Sequence, residues 1–219
     1  MTQNIKQPIV LAAGGTGGHI FPAEALAEAL VARGERVVLI TDKRFGNFKT
    51  GIFSELEVRT IHAGSPAGGG LHKKIIGAAG LTIGIFQAGS LLRQLKPKAV
   101  VGFGGYPSFP TVFAAGGQSI FTIIHEQNSV LGRANRLVAR FARVLALSFE
   151  STAGVPLSPV PRLITGNPTR PGFAAQSPVA DPSRFRLLVL GGSQGARQLN
   201  EHVPEALARG LDAVAAAAG

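Results

Sequence analysis

One stretch near the start of the chain constrains its fold more than any other. Residues 9–13 are five consecutive apolar residues. They are followed by Gly14-Gly15-Thr16-Gly17-Gly18-His19 and then by an alanine- and leucine-rich segment with helical period. An apolar run this short, bounded by glycines, predicts a buried strand, a tight turn and a helix. Residues 36–42 repeat the strand signal, with Gly34 placed to end the helix between them. Strand, helix and strand at this spacing make a βαβ unit, which implies a parallel sheet and a right-handed crossover. Glycines at such a turn let a ligand approach the bare amides of the helix start, a site suited to phosphate. The same cluster also serves as a plain turn that needs small residues.

Further strands are expected at residues 57–61, at 98–103 running into Gly104-Gly105-Tyr106-Pro107-Ser108, and at 119–124 running into His125-Glu126-Gln127-Asn128. Four polar side chains after a buried strand fall at the carboxyl edge of the sheet, where open α/β sheets bind ligands. The alternative is a polar loop with no task. The fold class is therefore α/β, a parallel sheet with helices on both faces.

The chain of 219 residues is 45% hydrophobic and 16% charged, as expected of a well-cored globular protein. Twenty-two Lys and Arg against twelve Asp and Glu leave a formal charge of +10, which favours an anionic partner. A single tyrosine and no tryptophan argue against a base-stacking platform, so no nucleic-acid partner is expected. Without cysteine there are no disulfides and no thiolate metal sites. No signal peptide is expected at residues 1–8, which are polar.

Residues 75–92 carry no charge, and Lys73, Lys74, Arg93, Lys96 and Lys98 flank them. Three outcomes fit: a core helix, a helix with one face against lipid, and a membrane span, the last disfavoured by four glycines. The membrane-facing patch would comprise Lys73, Lys74, Ile75, Ile76, Leu81, Ile85, Phe86 and Arg140. Arg133, Arg136, Arg140 and Arg143 are spaced to share one face of a following helix, either as a solvated basic face or as an extension of that patch. Seven of the fourteen prolines fall between residues 156 and 182, which predicts a linker. Within it, residues 162–170 look like a short strand and a turn. A third strand, glycine turn and helix begins at residue 186, and a lone unit of that kind cannot bury both faces.

Common nucleotide fingerprints are absent. Ile20 stands where a dinucleotide turn needs its third glycine, which disfavours a dehydrogenase. No turn carries the Lys-Ser/Thr of a phosphate-binding ATPase loop, no Asp-x-Asp pair is present, and the five histidines lack ligand spacing. Stabilisation of a leaving group by helix N-termini fits what is left, with no metal or cofactor.

The set Gly14-Gly15-Thr16-Gly17-Gly18-His19-Ile20-Phe21-Pro22, Gly102-Phe103-Gly104-Gly105-Tyr106-Pro107-Ser108, His125-Glu126-Gln127-Asn128, Gly166-Asn167-Pro168-Thr169-Arg170 and Gly191-Gly192-Ser193-Gln194-Gly195-Ala196-Arg197 resembles the MurG family within glycosyltransferase family 28. The resemblance implies two Rossmann-like domains facing a cleft and peripheral attachment to the cytoplasmic face of the bacterial inner membrane. It also implies inverting transfer of N-acetylglucosamine from UDP-N-acetylglucosamine to lipid I, undecaprenyl-pyrophosphoryl-MurNAc-pentapeptide. It would make residues 7–160 an acceptor and membrane domain, 161–184 a linker, and 185–219 the start of an incomplete donor domain. A chain ending at Gly219 is then expected to be inactive alone. On the same resemblance, Gly15, Thr16, Gly17, Asn128, Arg170 and Ser193 would contact UDP-N-acetylglucosamine. Gly18, Gly104, Gly105 and Tyr106 would line the acceptor pyrophosphate, and His19 and Glu126 would be catalytic, His19 as candidate base. The alternative is a non-catalytic module that binds a membrane surface or a lipid pyrophosphate.

Overall fold

A computed structural model describes residues 6–14, 16–48, 51–64, 70–157, 159–170, 187–191 and 196–218. It divides into two compact units, residues 1–174 and 175–219.

The first unit is a seven-stranded, wholly parallel sheet. Its strands are β1 (Ile9–Ala12), β2 (Val37–Thr41), β3 (Glu57–Thr60), β4 (Ala99–Gly102), β5 (Thr122–Glu126), β6 (Val144–Leu147) and β7 (Arg162–Ile164), in spatial order β3-β2-β1-β4-β5-β6-β7. Helices α1 (Gly17–Ala32), α2 (Leu71–Leu95), α3 (Ser108–Gly117) and α4 (Arg133–Val138) connect them. Strand alternation divides the core into two faces. Leu11, Leu39 and Val101 pack with Ile20, Ala23 and Ala27 of α1 and with Phe45 and Phe53. Val10, Val38, Ile40 and Val100 point the other way, onto Ala88 and Leu92 of α2 and Ala114 and Ala115 of α3. Each fully buried Leu, Ile or Val contributes about 1.5–3 kcal/mol, so both faces of the sheet hold it together. A third cluster joins Val112, Ile124, Leu145 and Leu147 to Val138 and Ala139.

The chain crosses from β3 back to β4 beside β1, so the strand order reverses between β1 and β4. The carboxyl ends of those two strands flank a topological switch point, the ligand crevice of open α/β sheets.

Helix α2 is long and apolar enough to cross a membrane by length and composition alone. Here it is the crossover between β3 and β4. Its glycines admit residues 62–64: a Cβ on Gly84 would stand 2.0 Å from the His62 carbonyl oxygen, and one on Gly80 would stand 3.2 Å from Gly64 Cα. Its outer side leaves Ile75, Ile76, Ile83 and Phe86 exposed, Phe86 at 73%, with Lys73 and Lys74 exposed at the same end as Ile75 and Ile76. Leu81 and Ile85, predicted for the same patch, are half-buried, and Ile83 takes a place not assigned to it.

Three further expectations are corrected. The four arginines do not share a helix face, because α4 stops at Val138, a 3₁₀ turn covers Ala139–Phe141, and Arg143 enters β6 by donating its backbone N–H to Thr122 O. Residues 162–164 are the short strand expected there, β7, but it pairs with β6, so the first sheet extends past residue 160 into the stretch expected as linker. Strand β5 reaches Glu126, two residues past the predicted end at 124: His125 and Glu126 lie in the ladder opposite Ala146 and Leu147.

In the second unit, helix α5 (Arg197–Ala218) is present, with Arg197–Glu201 and Arg209–Glu205 pairs along it. The strand expected at 186–190 has no ladder partner among the described residues. Leu187, Leu188, Val189 and Leu190 are exposed on both sides.

Candidate functional site

The first two glycine turns meet at the switch point. A Cβ on Gly14 would stand 2.8 Å from Pro107 Cβ, and one on Gly105 would stand 2.9 Å from the Gly14 carbonyl oxygen. Gly104 and Gly105 have φ of 88° and 74°, left-handed values that favour glycine. A side chain at Gly104 would also press on the His19 ring and on Asn135 Nδ2, at 3.2 and 3.1 Å. These turns need bare backbone because each is the wall of the other. The third turn, with Ser193, lies outside the described residues, as does Gly15.

Beside the junction is a cavity of about 200 Å³ lined by His19, Gly104, Gly105, Tyr106, Glu126, Asn128, Gly132, Arg133, Ala134 and Asn135. Six predicted site residues thus converge from the ends of β1, β4 and β5: His19, Gly104, Gly105, Tyr106, Glu126 and Asn128. His19 sits in the first turn of α1, where its Nδ1 lies 3.1 Å from Thr16 Oγ1. Thr16 flanks the helix start without capping it, so its hydroxyl serves the imidazole. Burial lowers the His19 pKa from its ordinary 6.5, and the Glu126 charge opposes this in part.

Glu126 is 1% exposed, and both its oxygens are occupied. Oε1 accepts from the Asn128 backbone N–H (3.1 Å) and from Asn128 Nδ2 (2.8 Å). Oε2 accepts from the Gly132 N–H (2.8 Å) and from Asn135 Nδ2 (2.9 Å). A carboxylate ringed by four N–H donors positions its loop, so Glu126 holds residues 127–135 rather than presenting a free acid. Asn135, missed by the sequence reading, is 2% exposed. Its Nδ2 also donates to His125 O (3.2 Å), and its Oδ1 is a buried acceptor without a partner among the described residues. A signal for it was present: Leu131, Ala134, Asn135 and Val138 form an i, i+3, i+4, i+7 stripe, and all four are buried. An asparagine in such a stripe is a buried polar group that calls for partners.

His125 has a structural place. Gly166 O can only accept, so the ring donates from Nε2 (3.1 Å), and Nδ1 accepts from Gln127 Nε2 (3.2 Å). Burial lowers its pKa, consistent with this neutral tautomer. The bond ties β5 to the chain after β7.

A second cavity, of about 230 Å³, lies on the other side of the α1 start. Gly17, Gly18, Phe21, Pro22, Asn167, Pro168, Thr169 and Arg170 line it. The Arg170 guanidinium lies 4.1 Å from the Phe21 ring centre and 3.9 Å from Glu24 Oε2. Glu24 is 5% exposed, and burial pushes its carboxyl pKa up, with Arg170 pulling it back and Glu28 adding to the rise. The residues predicted for the donor are therefore divided. Gly17 and Arg170 line this second cavity and Asn128 lines the first, while Gly18, predicted for the acceptor side, lies beside Gly17 here.

Asp42, at the end of β2, is taken up by Arg44, whose backbone N–H and Nε donate to it at 3.2 and 2.6 Å. Arg140 lies 4.8 Å over the Phe141 ring, which packs edge-on against Phe113 of α3, the helix beside α2.

Comparison with known proteins agrees with this geometry. Residues 9–146 match the glycosyltransferase family 28 N-terminal domain. A Granulibacter bethesdensis UDP-N-acetylglucosamine–N-acetylmuramyl-(pentapeptide) pyrophosphoryl-undecaprenol N-acetylglucosamine transferase is 46% identical over 93% of this chain and 54% of its own length. The Rhodospirillum centenum protein of the same name is 50% identical over 92% and 54%. The crystal structure of Acinetobacter baumannii MurG is similar at a TM-score of 0.61 and 32% identity, covering 74% of this chain and 46% of that one. The chain thus spans about half the length of the curated relatives it matches. With the β1/β4 crevice, its two glycine turns and this match over residues 9–146, the chain belongs to glycosyltransferase family 28.

Proposed function

We propose that this chain provides the acceptor side of a transfer of N-acetylglucosamine from UDP-N-acetylglucosamine to undecaprenyl-pyrophosphoryl-N-acetylmuramyl-pentapeptide, the reaction named for its relatives. The observation that carries this reading is the convergence of His19, Gly104, Gly105, Tyr106 and Asn128 on one cavity at the switch point. The acceptor's muramyl group and pyrophosphate enter there, against bare glycine backbone.

His19 acts as the base. When its Nδ1–H donates to Thr16 Oγ1, Nε2 is left as the ring's acceptor. Burial keeps the ring unprotonated at neutral pH, ready to take the proton of the attacking acceptor hydroxyl. The acceptor oxygen bonds to the anomeric carbon from the face opposite the departing UDP, the bond from that carbon to the UDP oxygen breaks, and the configuration inverts. Asn128, held through its backbone and side chain on Glu126, presents a fixed edge to the sugar. Gly17, Gly18 and Arg170 serve the donor side from the second cavity.

The exposed Ile75, Ile76, Ile83 and Phe86, with Lys73 and Lys74 beside them, rest on the anionic cytoplasmic face of the inner membrane, which puts the crevice near a lipid-linked acceptor. Arg140 extends the basic surface by way of α3.

Equilibrium binding of a water-soluble acceptor, a muramyl-pentapeptide pyrophosphate with a short prenyl chain, tests the reading. Wild-type chain binds it, and His19→Ala and Asn128→Ala each weaken binding on the order of tenfold with an unchanged melting temperature. No binding by the wild type, or equal binding by both variants, overturns it.

A further inference from the structure

Three side chains lining the first cavity are ionisable in the physiological range or permanently charged: His19, Glu126 and Arg133. Four N–H donors already occupy Glu126, and burial keeps His19 neutral. Arg133 is therefore the cation of this cavity among the described residues. Its side chain is exposed and has no hydrogen bond or ion pair among the described residues. The neighbouring arginines are placed differently. Arg136 lies across Gly154, where an added Cβ would stand 2.3 Å from its Nη2, and Arg140 stacks on Phe141.

The backbone that carries Arg133 is fixed. Gly132 donates its N–H to Glu126 Oε2 at 2.8 Å, and the Arg136 N–H donates to Gly132 O at 2.9 Å. Asn135 also lines the cavity, its Nδ2 committed to Glu126 Oε2 and His125 O. A guanidinium without a partner among the described residues, in a recess whose carboxylate is already occupied, complements an anionic ligand such as a phosphorylated sugar.

We infer that Arg133 binds the acceptor's pyrophosphate, its guanidinium fork taking phosphate oxygens in the cavity at the β1/β4 switch point. This rests on the acceptor-side function proposed above. A pyrophosphate brought beside apolar walls needs compensating charge, and bare glycine amides supply dipoles but no net charge. The guanidinium supplies that charge from the start of α4, which Glu126 fixes through Gly132.

The experiment measures affinity of this chain for two probes: the short-prenyl muramyl-pentapeptide pyrophosphate, and the methyl glycoside of the same muramyl pentapeptide, which has no phosphate. Arg133→Gln weakens binding of the first on the order of 10- to 100-fold and flattens its dependence on salt, while Arg133→Lys recovers part of the loss. Binding of the second is the same in all three proteins. If Arg133→Gln binds the pyrophosphate probe as the wild type does while His19→Ala weakens it, the assignment falls and the acceptor-side reading stands. If the wild type does not prefer the pyrophosphate probe over the glycoside, or binds neither, both fall.

Discussion

The two cavities beside the start of α1 are built around buried glutamates held in opposite ways. Glu126, behind the first, is met by four N–H donors at 2.8–3.1 Å. Glu24, near the second, has one cation at 3.9 Å and lies with Oε1 close against Gly51. Burial is nearly equal, at 1% and 5% exposed, so partners rather than depth set the difference. A carboxylate with every lone pair engaged acts as a rivet and fixes the loop that carries Asn128 and the start of α4 that carries Arg133 and Asn135. One with a single distant cation among the described residues keeps a raised pKa and leaves its surroundings adjustable. The first cavity is thus preorganised, and the Arg170 side of α1 is the softer of the two.

Replacing Glu126 with Ala should produce the largest effect. Four N–H donors lose their acceptor at once, one of them on buried Asn135, which costs about 2–4 kcal/mol at roughly 1–3 kcal/mol for a buried group left unpaired. A denaturant midpoint within 1 kcal/mol of wild type would remove the rivet from the comparison. Gly104→Ala comes next, at about 1–3 kcal/mol, because φ of 88° strains any side chain and the new Cβ meets the His19 ring and Asn135. Chemical denaturation measures it, and loss of acceptor binding should accompany the destabilisation.

pH separates the cavities further. His19 has a folded pKa below its ordinary 6.5, so the unfolded chain takes the proton first as pH falls. The stability it contributes is complete above 6.5 and is lost as pH drops through and below that value. The His19 ring resonances should titrate below 6.5 by NMR, and lower still in Glu126→Gln, which removes the opposing charge. Glu24 has the reverse sign. Its folded pKa is raised above the ordinary 4.5, so the stability it contributes is complete below 4.5 and is lost as pH rises through its folded value. Glu24→Gln should therefore leave stability at pH 7 unchanged or raised by about 1 kcal/mol or less, and should flatten that decline in a melting-temperature profile. Arg170→Ala should be smallest, about 0.5–1 kcal/mol from the long ion pair and the stacking on Phe21. A larger loss would mean that the second cavity is as tightly built as the first.

Much of the site is legible along the chain because its parts are local. Gly14–Gly18, Gly102–Gly105 and the His125–Asn128 run each fall at or just past the end of a strand, so each is read at a carboxyl edge without knowledge of its neighbours. The misplaced features are those in which separate segments compete. The spacing of Arg133, Arg136, Arg140 and Arg143 is helical, yet α4 ends after Val138 because Arg143 is drawn into β6 by its bond to Thr122 O. Residues 162–164 sit in a proline-rich stretch and still form β7, because the edge of β6 offers a ladder. Glu126 looks like an acid from its position, but the donors that occupy it come from as far along the chain as Asn135.

The sequence by itself determined the alternation of strands and helices, the parallel sheet and the glycine turns, since short apolar runs, helical periods and bare backbone are properties of neighbouring residues. Only the tertiary structure decided which turns face each other, that Glu126 is a positioning residue, and that Arg133 separates from the other arginines to line the cavity. Those outcomes depend on strand order, which brings β1, β4 and β5 together although about ninety residues separate β1 from β4, and no local pattern encodes that distance.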